Sequence, residues 1–305
     1  MLKIFFILFC ESQIQPNKVD KDFEDQFLAA KQNGFEILLF NLEDLISNDK
    51  FQLATKRIKA NDTLVHLIYR GWMLTPKKYE ILYHDLISKN YKLINNPVEY
   101  QNCHYLPDSL KYIEDSTPKT IYEKLENENS IDSILQKSKK FGEKEVIVKD
   151  YVKSEKHDWE TACFVPNASD TNKLKNTINN LLQLRGEFLN EGIVVREFIE
   201  LNQLTTHSKS GMPLTEEYRL FFFQQQLIGM YDYWEEGKYN LKKPDTSQFE
   251  KIAKNIESNF FSMDIARKKN GDLIIIELGD GQVAGLPEKS DKNEFYNKLK
   301  SIFSK

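Results

Sequence analysis

Two carboxylates and a lysine in this 305-residue chain have the type and spacing to do chemistry. The segment FFSMDIARKKNGDLIIIELGDGQ, residues 260–282, sets Asn270-Gly271 between two apolar runs. Asn-Gly favours a two-residue hairpin loop, where both positions need φ > 0. Such a loop pairs Lys269 with Asp272 and, counting outward, puts Asp264 directly opposite Glu277. Their Cβ atoms would lie ~4.5–5.5 Å apart on one face, and like charges so placed repel. Apolar neighbours raise that penalty, and a divalent cation removes it. All-oxygen ligands suit magnesium, which is held by one or two carboxylates plus substrate phosphates. The alternative is bland: Asp264 faces solvent at a sheet margin and Glu277 caps a loop. Gly279-Asp280-Gly281-Gln282 tilts the choice toward metal, since its glycines admit a ligand to the backbone.

The lysine is Lys149, in EVIVKDYV, residues 145–152. It stands on a strand otherwise built for burial and so needs a negative partner. Phosphate suits a point charge of this kind, and a lysine snorkelling from an edge strand is the alternative. Lys153 and Lys156 follow in a polar turn, a flap over phosphates or a plain solvated loop. Glu217 and Arg219 share one strand face by their spacing, as a salt bridge or as part of an active site. Arg70 and Trp72 end a strand of an α/β pattern, where open sheets bind ligands. Trp159, Tyr231, Tyr233 and Trp234 read as core aromatics or as a substrate shelf.

The elements that must position these residues fall into two patterns. Residues 2–9 read as a buried first strand, 20–33 as a helix ended by Gly34, and 35–40 as a strand. A strand at 63–69, a helix at 76–89 and a strand at 91–94 continue the alternation. Strand–helix repeats of this kind imply a parallel sheet. Residues 1–115 are thus a Rossmann-like domain, without the G-x-G-x-x-G of dinucleotide binding. Pro107 to Pro118 reads as a linker. Beyond it come a helix at 131–140, strands at 145–152 and 192–200, and a helix at 170–184 capped by Asp170 or Ser169. A hairpin at 218–234, a helix at 247–260, strands at 261–268 and 272–277 and a helix at 292–303 complete the chain.

In that order the pieces resemble the ATP-grasp superfamily over roughly residues 118–305. Lys149 in VIVKDY resembles the family's strand lysine on the nucleotide phosphates. VVREFIEL, with Glu197, Phe198 and Ile199, resembles the hinge whose backbone holds adenine. Asp264 in SMDIA and Glu277 in IIIELGDGQ resemble the late metal ligands. The likeness is closest to the clade in which a usual arginine is replaced by lysine, whose members end in an E-x-G-D-G-Q-like element. YRGWML, residues 69–74, is similar to that clade's preceding domain. Three departures stand out. Gly279 occupies the place of an Asn metal ligand, so Asp280 substitutes for it. Ser262 stands where a family Arg precedes the metal Asp, leaving phosphate charge to Arg219, Lys153 or Lys156. The glycine-rich flap is missing between Lys149 and Thr161.

The resemblance implies an α/β chain, α+β in its C-terminal part. A two-lobed ATP-grasp domain at 116–305, with lobes at 116–203 and 204–305, follows the first domain. It implies Mg²⁺ and ATP as cofactors and ligation of a carboxylate to an amine through an acyl-phosphate. Arg219, Glu217 and Arg70 would serve the substrate, an unidentified carboxylate, peptide or protein. The rivals are a kinase-like enzyme on the same fold, acting on a small molecule or RNA end, and a non-catalytic nucleotide binder. Bulk properties fit: 40% hydrophobic and 29% charged residues support a packed core. A net charge of −4 does not call for nucleic acid. Three scattered cysteines suit a reducing cytosol. The apolar start is too short and too bulky at its end for a signal peptide, and no stretch approaches a membrane span.

Overall fold

The computed structural model describes residues 5–47, 50–127, 129–209, 211–240 and 242–303. The expected first strand therefore lies partly outside the described residues, at positions 2–4. Its visible part is β1 (Phe6–Cys10), followed by α1 (Glu24–Gln32), β2 (Glu36–Phe40), α2 (Leu42–Ile46), β3 (Val65–Arg70), α3 (Pro76–Ile87), β4 (Tyr91–Leu93) and α4 (Pro97–His104). The four strands pair in the order β2-β1-β3-β4, with every pairing parallel. Helices must then cover the faces. Leu8, Tyr69, Leu82 and Leu86 fill one side, while Phe9, Ala30 and Ile68 belong to the other.

The stretch expected as a linker is instead α5 (Leu106–Ile113) with a 3₁₀ turn at Glu114–Ser116. Pro107 misled the sequence pattern. It sits in the first turn of the helix, where its missing N–H costs nothing, and Leu106, Pro107 and Ile113 are buried.

Next come β5 (Thr120–Lys124), α6 (Ser130–Ser138), β6 (Val146–Asp150), β7 (Phe164–Val165), α7 (Thr171–Arg185), β8 (Gly192–Glu197), β9 (Gln203–Thr206) and β10 (Pro213–Thr215). Asp170 caps α7 through its Oδ1, which accepts from Lys173 N at 2.9 Å. The sheet order is β5-β8-β6-β7. Val148 pairs with Val195 and Lys149 with Val194 in the central antiparallel ladder. One face, with Val146, Val148, Val165, Ile193 and Val195, joins residues of α6 and α7 in a core. The opposite face carries Ile147, Lys149, Phe164, Val194 and Arg196.

The chain ends with β11 (Glu217–Phe223), β12 (Gln226–Asp232), α8 (Ser247–Ala253), β13 (Phe260–Arg267), β14 (Leu273–Asp280) and α9 (Lys292–Phe303), with sheet order β12-β11-β13-β14. The β11–β12 turn is made by Gln224 and Gln225, both at positive φ (47° and 57°). The Asn270-Gly271 turn departs from expectation. Lys268 N donates to Asp272 O at 2.8 Å and Gly271 N to Lys268 O at 2.9 Å. Gly271 alone of the loop residues has positive φ, at 96°. The loop therefore holds three residues, 269–271, and ends in a glycine bulge. Lys268, not Lys269, faces Asp272, so the count that set Asp264 opposite Glu277 starts one residue out.

The chain folds as two compact units. One holds Met1–Cys103, Glu217–Asp264 and Leu278–Lys305; the other holds His104–Glu216 and Ile265–Glu277.

Candidate active site

In the second unit, the site is built on the sheet face opposite the helices. Lys149 is nearly buried, and its Nζ lies 3.1 Å from Glu277 Oε2 on β14. The negative partner that a strand lysine needs is thus the expected metal carboxylate. Arg196, fully buried, lies on the same face one strand over. It donates through Nη2 to Thr117 Oγ1 and to Ile275 O, while its Nε has no partner among the described residues. Burial lowers Arg196 to about 10, partly offset by Glu277. Two cations and one carboxylate make this face net positive inside a low-dielectric wall, a setting for anionic oxygen.

The segment after Lys149 is compact. Asp150 Oδ1 accepts from Val152 N, and Arg185 Nε binds its Oδ2 at 3.0 Å. Lys153 and Lys156 are exposed beyond it. Lys156 opens a 3₁₀ turn at Lys156–Asp158, followed by a π-helical turn at Trp159–Cys163, a form often found at functional sites. Burial pushes the Cys163 thiol up to about 11, and Lys156 and Lys149 oppose that rise. His104 is lowered to about 4, first by burial and then by Lys153, so it is neutral at pH 7. Trp159 stacks on Phe164 at 5.3 Å, and Phe198 meets both rings edge-on.

The expected hinge begins at the end of β8. Glu197 pairs with Val146 and so shares the helix-side face, where Lys144 Nζ holds its Oε1. Its N–H donates to Lys119 O, and the Phe198 N–H donates to Glu145 O.

In the first unit, Arg219 grips Asp264 with a bidentate fork: Nε–Oδ1 at 2.8 Å and Nη2–Oδ2 at 2.7 Å. Its guanidinium also lies 4.8 Å from the Tyr233 ring centroid, and Nη1 donates to Gly285 O. Glu217 is buried and accepts from Trp234 Nε1 at 3.2 Å. Glu217 and Arg219, which share one strand face, thus reach Trp234 and Asp264 respectively.

Two expected site residues serve the fold. Arg70, 1% exposed, donates to Gln26 Oε1, Gly281 O and Ala284 O. It fastens the 281–284 loop and is no open fork for a substrate. Asp280 is fully buried and accepts from Asn95 Nδ2, Gln282 N and Gln282 Nε2. Its oxygens are turned to these donors, away from a metal role. Burial raises it to about 7, against the pull of the same bonds.

Sequence reasoning missed Arg196, although an arginine inside GIVVREFIE is as anomalous as Lys149 in its strand. It marked Trp159 and Phe198 separately but not their cluster with Phe164, because a two-residue strand leaves no periodicity. Among the described residues no three His, Cys, Asp or Glu side chains gather to hold a metal. Magnesium bound with a nucleotide draws part of its ligand set from phosphate and water.

A buried lysine and arginine thus lie on the open face of a small antiparallel sheet, with a carboxylate of β14 against the lysine. Residues 140–299 match the ATP-grasp domain of the arginine-to-lysine clade, family 3, and the chain belongs to that family. No curated protein matches the sequence. Solved structures share the fold. D-cycloserine synthetase DcsG is 12% identical, with 97% of this chain and 99% of that one covered, at a TM-score of 0.58. A RimK domain ATP-grasp protein from Sphaerobacter thermophilus is 11% identical, covers 97% and 98%, and scores 0.56. Macrocyclase MdnC, bound with precursor peptide MdnA from Microcystis aeruginosa, is 12% identical, covers 97% and 99%, and scores 0.53. No helix among the described residues is long and apolar enough to cross a membrane.

Proposed function

We propose that this protein is an ATP-dependent ligase that joins a carboxylate to an amine through an acyl-phosphate. The observation that carries this is the ion pair of buried Lys149 with part-exposed Glu277, beside buried Arg196, whose Nε has no partner among the described residues. Without ligand, Lys149 and Glu277 neutralise one another. With Mg-ATP, Lys149 serves a phosphate and Glu277 the metal, and each loses the reason to hold the other. The buried Arg196 Nε supplies a further donor. By the family motif Asp264 is also a metal carboxylate, and Arg219 fixes its orientation.

Bound magnesium would neutralise charge on the transferred phosphoryl group. The substrate carboxylate oxygen attacks the γ-phosphorus, the bond to the β-phosphate oxygen breaks, and ADP leaves. The acceptor amine then attacks the acyl carbon, phosphate leaves, and the nitrogen sheds a proton. Positioning and charge neutralisation suffice for this, so no side-chain nucleophile is needed. The ligases among the fold's neighbours support the reading. One of them, PsnB, was crystallised with a minimal precursor, Mg and ADP.

Hydroxylamine tests the chemistry without knowledge of the acceptor, because it traps an acyl-phosphate as a hydroxamate. Enzyme, Mg-ATP, hydroxylamine and an extract of small acids and peptides should yield a hydroxamate that Glu277→Gln fails to form. A phosphorylated alcohol or RNA end with no hydroxamate would assign a kinase instead.

A further inference from the structure

The first unit contains a cavity of about 400 Å³ at the end of β12, between the 232–243 segment and the 287–291 loop. Its volume lies at the small end of the range for ligand sites, roughly 300–1,000 Å³. Rings of Tyr231, Trp234 and Tyr239 line it. Three carboxylates, Asp232, Glu235 and Asp291, outnumber two lysines, Lys243 and Lys289.

This lining already seats one ammonium. Lys243 Nζ pairs with Asp232 Oδ1 and lies 5.3 Å and 5.7 Å from the ring centroids of Tyr218 and Tyr239. A carboxylate with aromatic faces is a recognition set for a primary ammonium. The two partners are 40% and 38% exposed, so the pair is open to exchange. Lys289 is committed differently, to Glu235 O.

The wall of the cavity is tied to Asp264. Tyr233 N donates to Glu217 O at 3.1 Å, and Trp234 Nε1 donates to Glu217 Oε1. The Tyr233 ring supports Arg219, whose fork holds Asp264. A ligand against Asp232 and Trp234 therefore lies one residue from the groups that orient Asp264.

We propose that this cavity binds the amine-bearing acceptor through a free α-amino group, that of an amino acid or of a short peptide's first residue. The ligand ammonium competes with Lys243 for Asp232 and the ring faces. The acceptor role rests on the ligase reading, whereas binding itself does not.

The test uses Trp234 fluorescence in the full chain with Trp72 and Trp159 changed to Phe. The probes are the twenty free amino acids, their Xaa-Gly dipeptides and the N-acetylated form of each, with and without Mg-ADP. At least one amine should give a saturable change, and acetylation should weaken it tenfold or more. Asp232→Asn should weaken that ligand about tenfold, while Lys243→Ala, which removes the resident ammonium, should tighten it. A merely structural cavity would not yield opposite signs. Comparison of free amino acids with dipeptides identifies the source of the amine. The inference is overturned if no amine saturates, if acetylated forms bind as well, or if both variants leave affinity unchanged. A separate ADP titration of the same sample reports on the nucleotide site. Its failure would count against the ligase reading and leave amine binding to be judged alone.

Discussion

Lys149 and Arg196 show how much of a site one residue can disclose. Each is a cation in a run of β-branched residues, where an unpaired charge is costly. Lys149 was legible because a lysine can be seen to lack a reason on such a strand, and its partner proved to be Glu277. Arg70, marked by its place at a strand end, and Asp280, marked by its glycine-rich loop, are held by the fold's own groups. Sequence shows that a buried charge must be satisfied, not whether protein or ligand satisfies it. Asp280 yields a pH prediction. Burial raises it from 3.8 to about 7, so the folded chain keeps a proton that the unfolded chain has released. Folding then takes up a proton between those values, and its stabilising effect is present at low pH and lost as pH rises toward 7. From pH 5 to 8 the melting temperature of the parent should fall relative to that of Asp280→Asn, whose side chain stays neutral. Parallel curves would show that Asp280 is ionised throughout.

Elements were legible where periodicity was long. Helix α7, with Asp170 at its start and Gly186 at its end, and the alternation in β6 follow from the hydrophobic pattern. Short or disguised elements were not. Pro107 hid α5, and the two residues of β7 gave no pattern. The hairpin at 268–272 teaches the finer point. Asn-Gly predicted the turn's place, but both two- and three-residue loops accept a glycine with φ > 0, and one residue of difference changes every pairing. At Gly271 φ is 96°, and a Cβ there would meet no atom within 4 Å. Any cost of Gly271→Ala is therefore backbone strain, roughly 1–2 kcal/mol. Urea unfolding should show that loss with the slope unchanged. No loss would mean that the loop adopts another turn.

At the scale of the whole molecule, the fold came from the order of elements, α/β first and antiparallel lobes after, and the family match at 140–299 agrees. The compact units were less legible. Each draws on segments distant in sequence, which a linear pattern does not reveal. The central claim remains local: polyphosphate binds the face that carries Lys149. The most direct measurement is calorimetric titration of the full chain with Mg-AMPPNP, run on the parent and on Lys149→Ala. Loss of a charge-assisted contact costs ~1.5–3 kcal/mol, about a 10- to 150-fold weaker Kd. Mg²⁺ alone should give no comparable heat, because magnesium sheds its waters reluctantly and relies on substrate phosphate for part of its ligand set. Affinity lower by that factor, with circular dichroism unchanged, is the predicted result; equal affinity in the two proteins would contradict the placement of the nucleotide on this face.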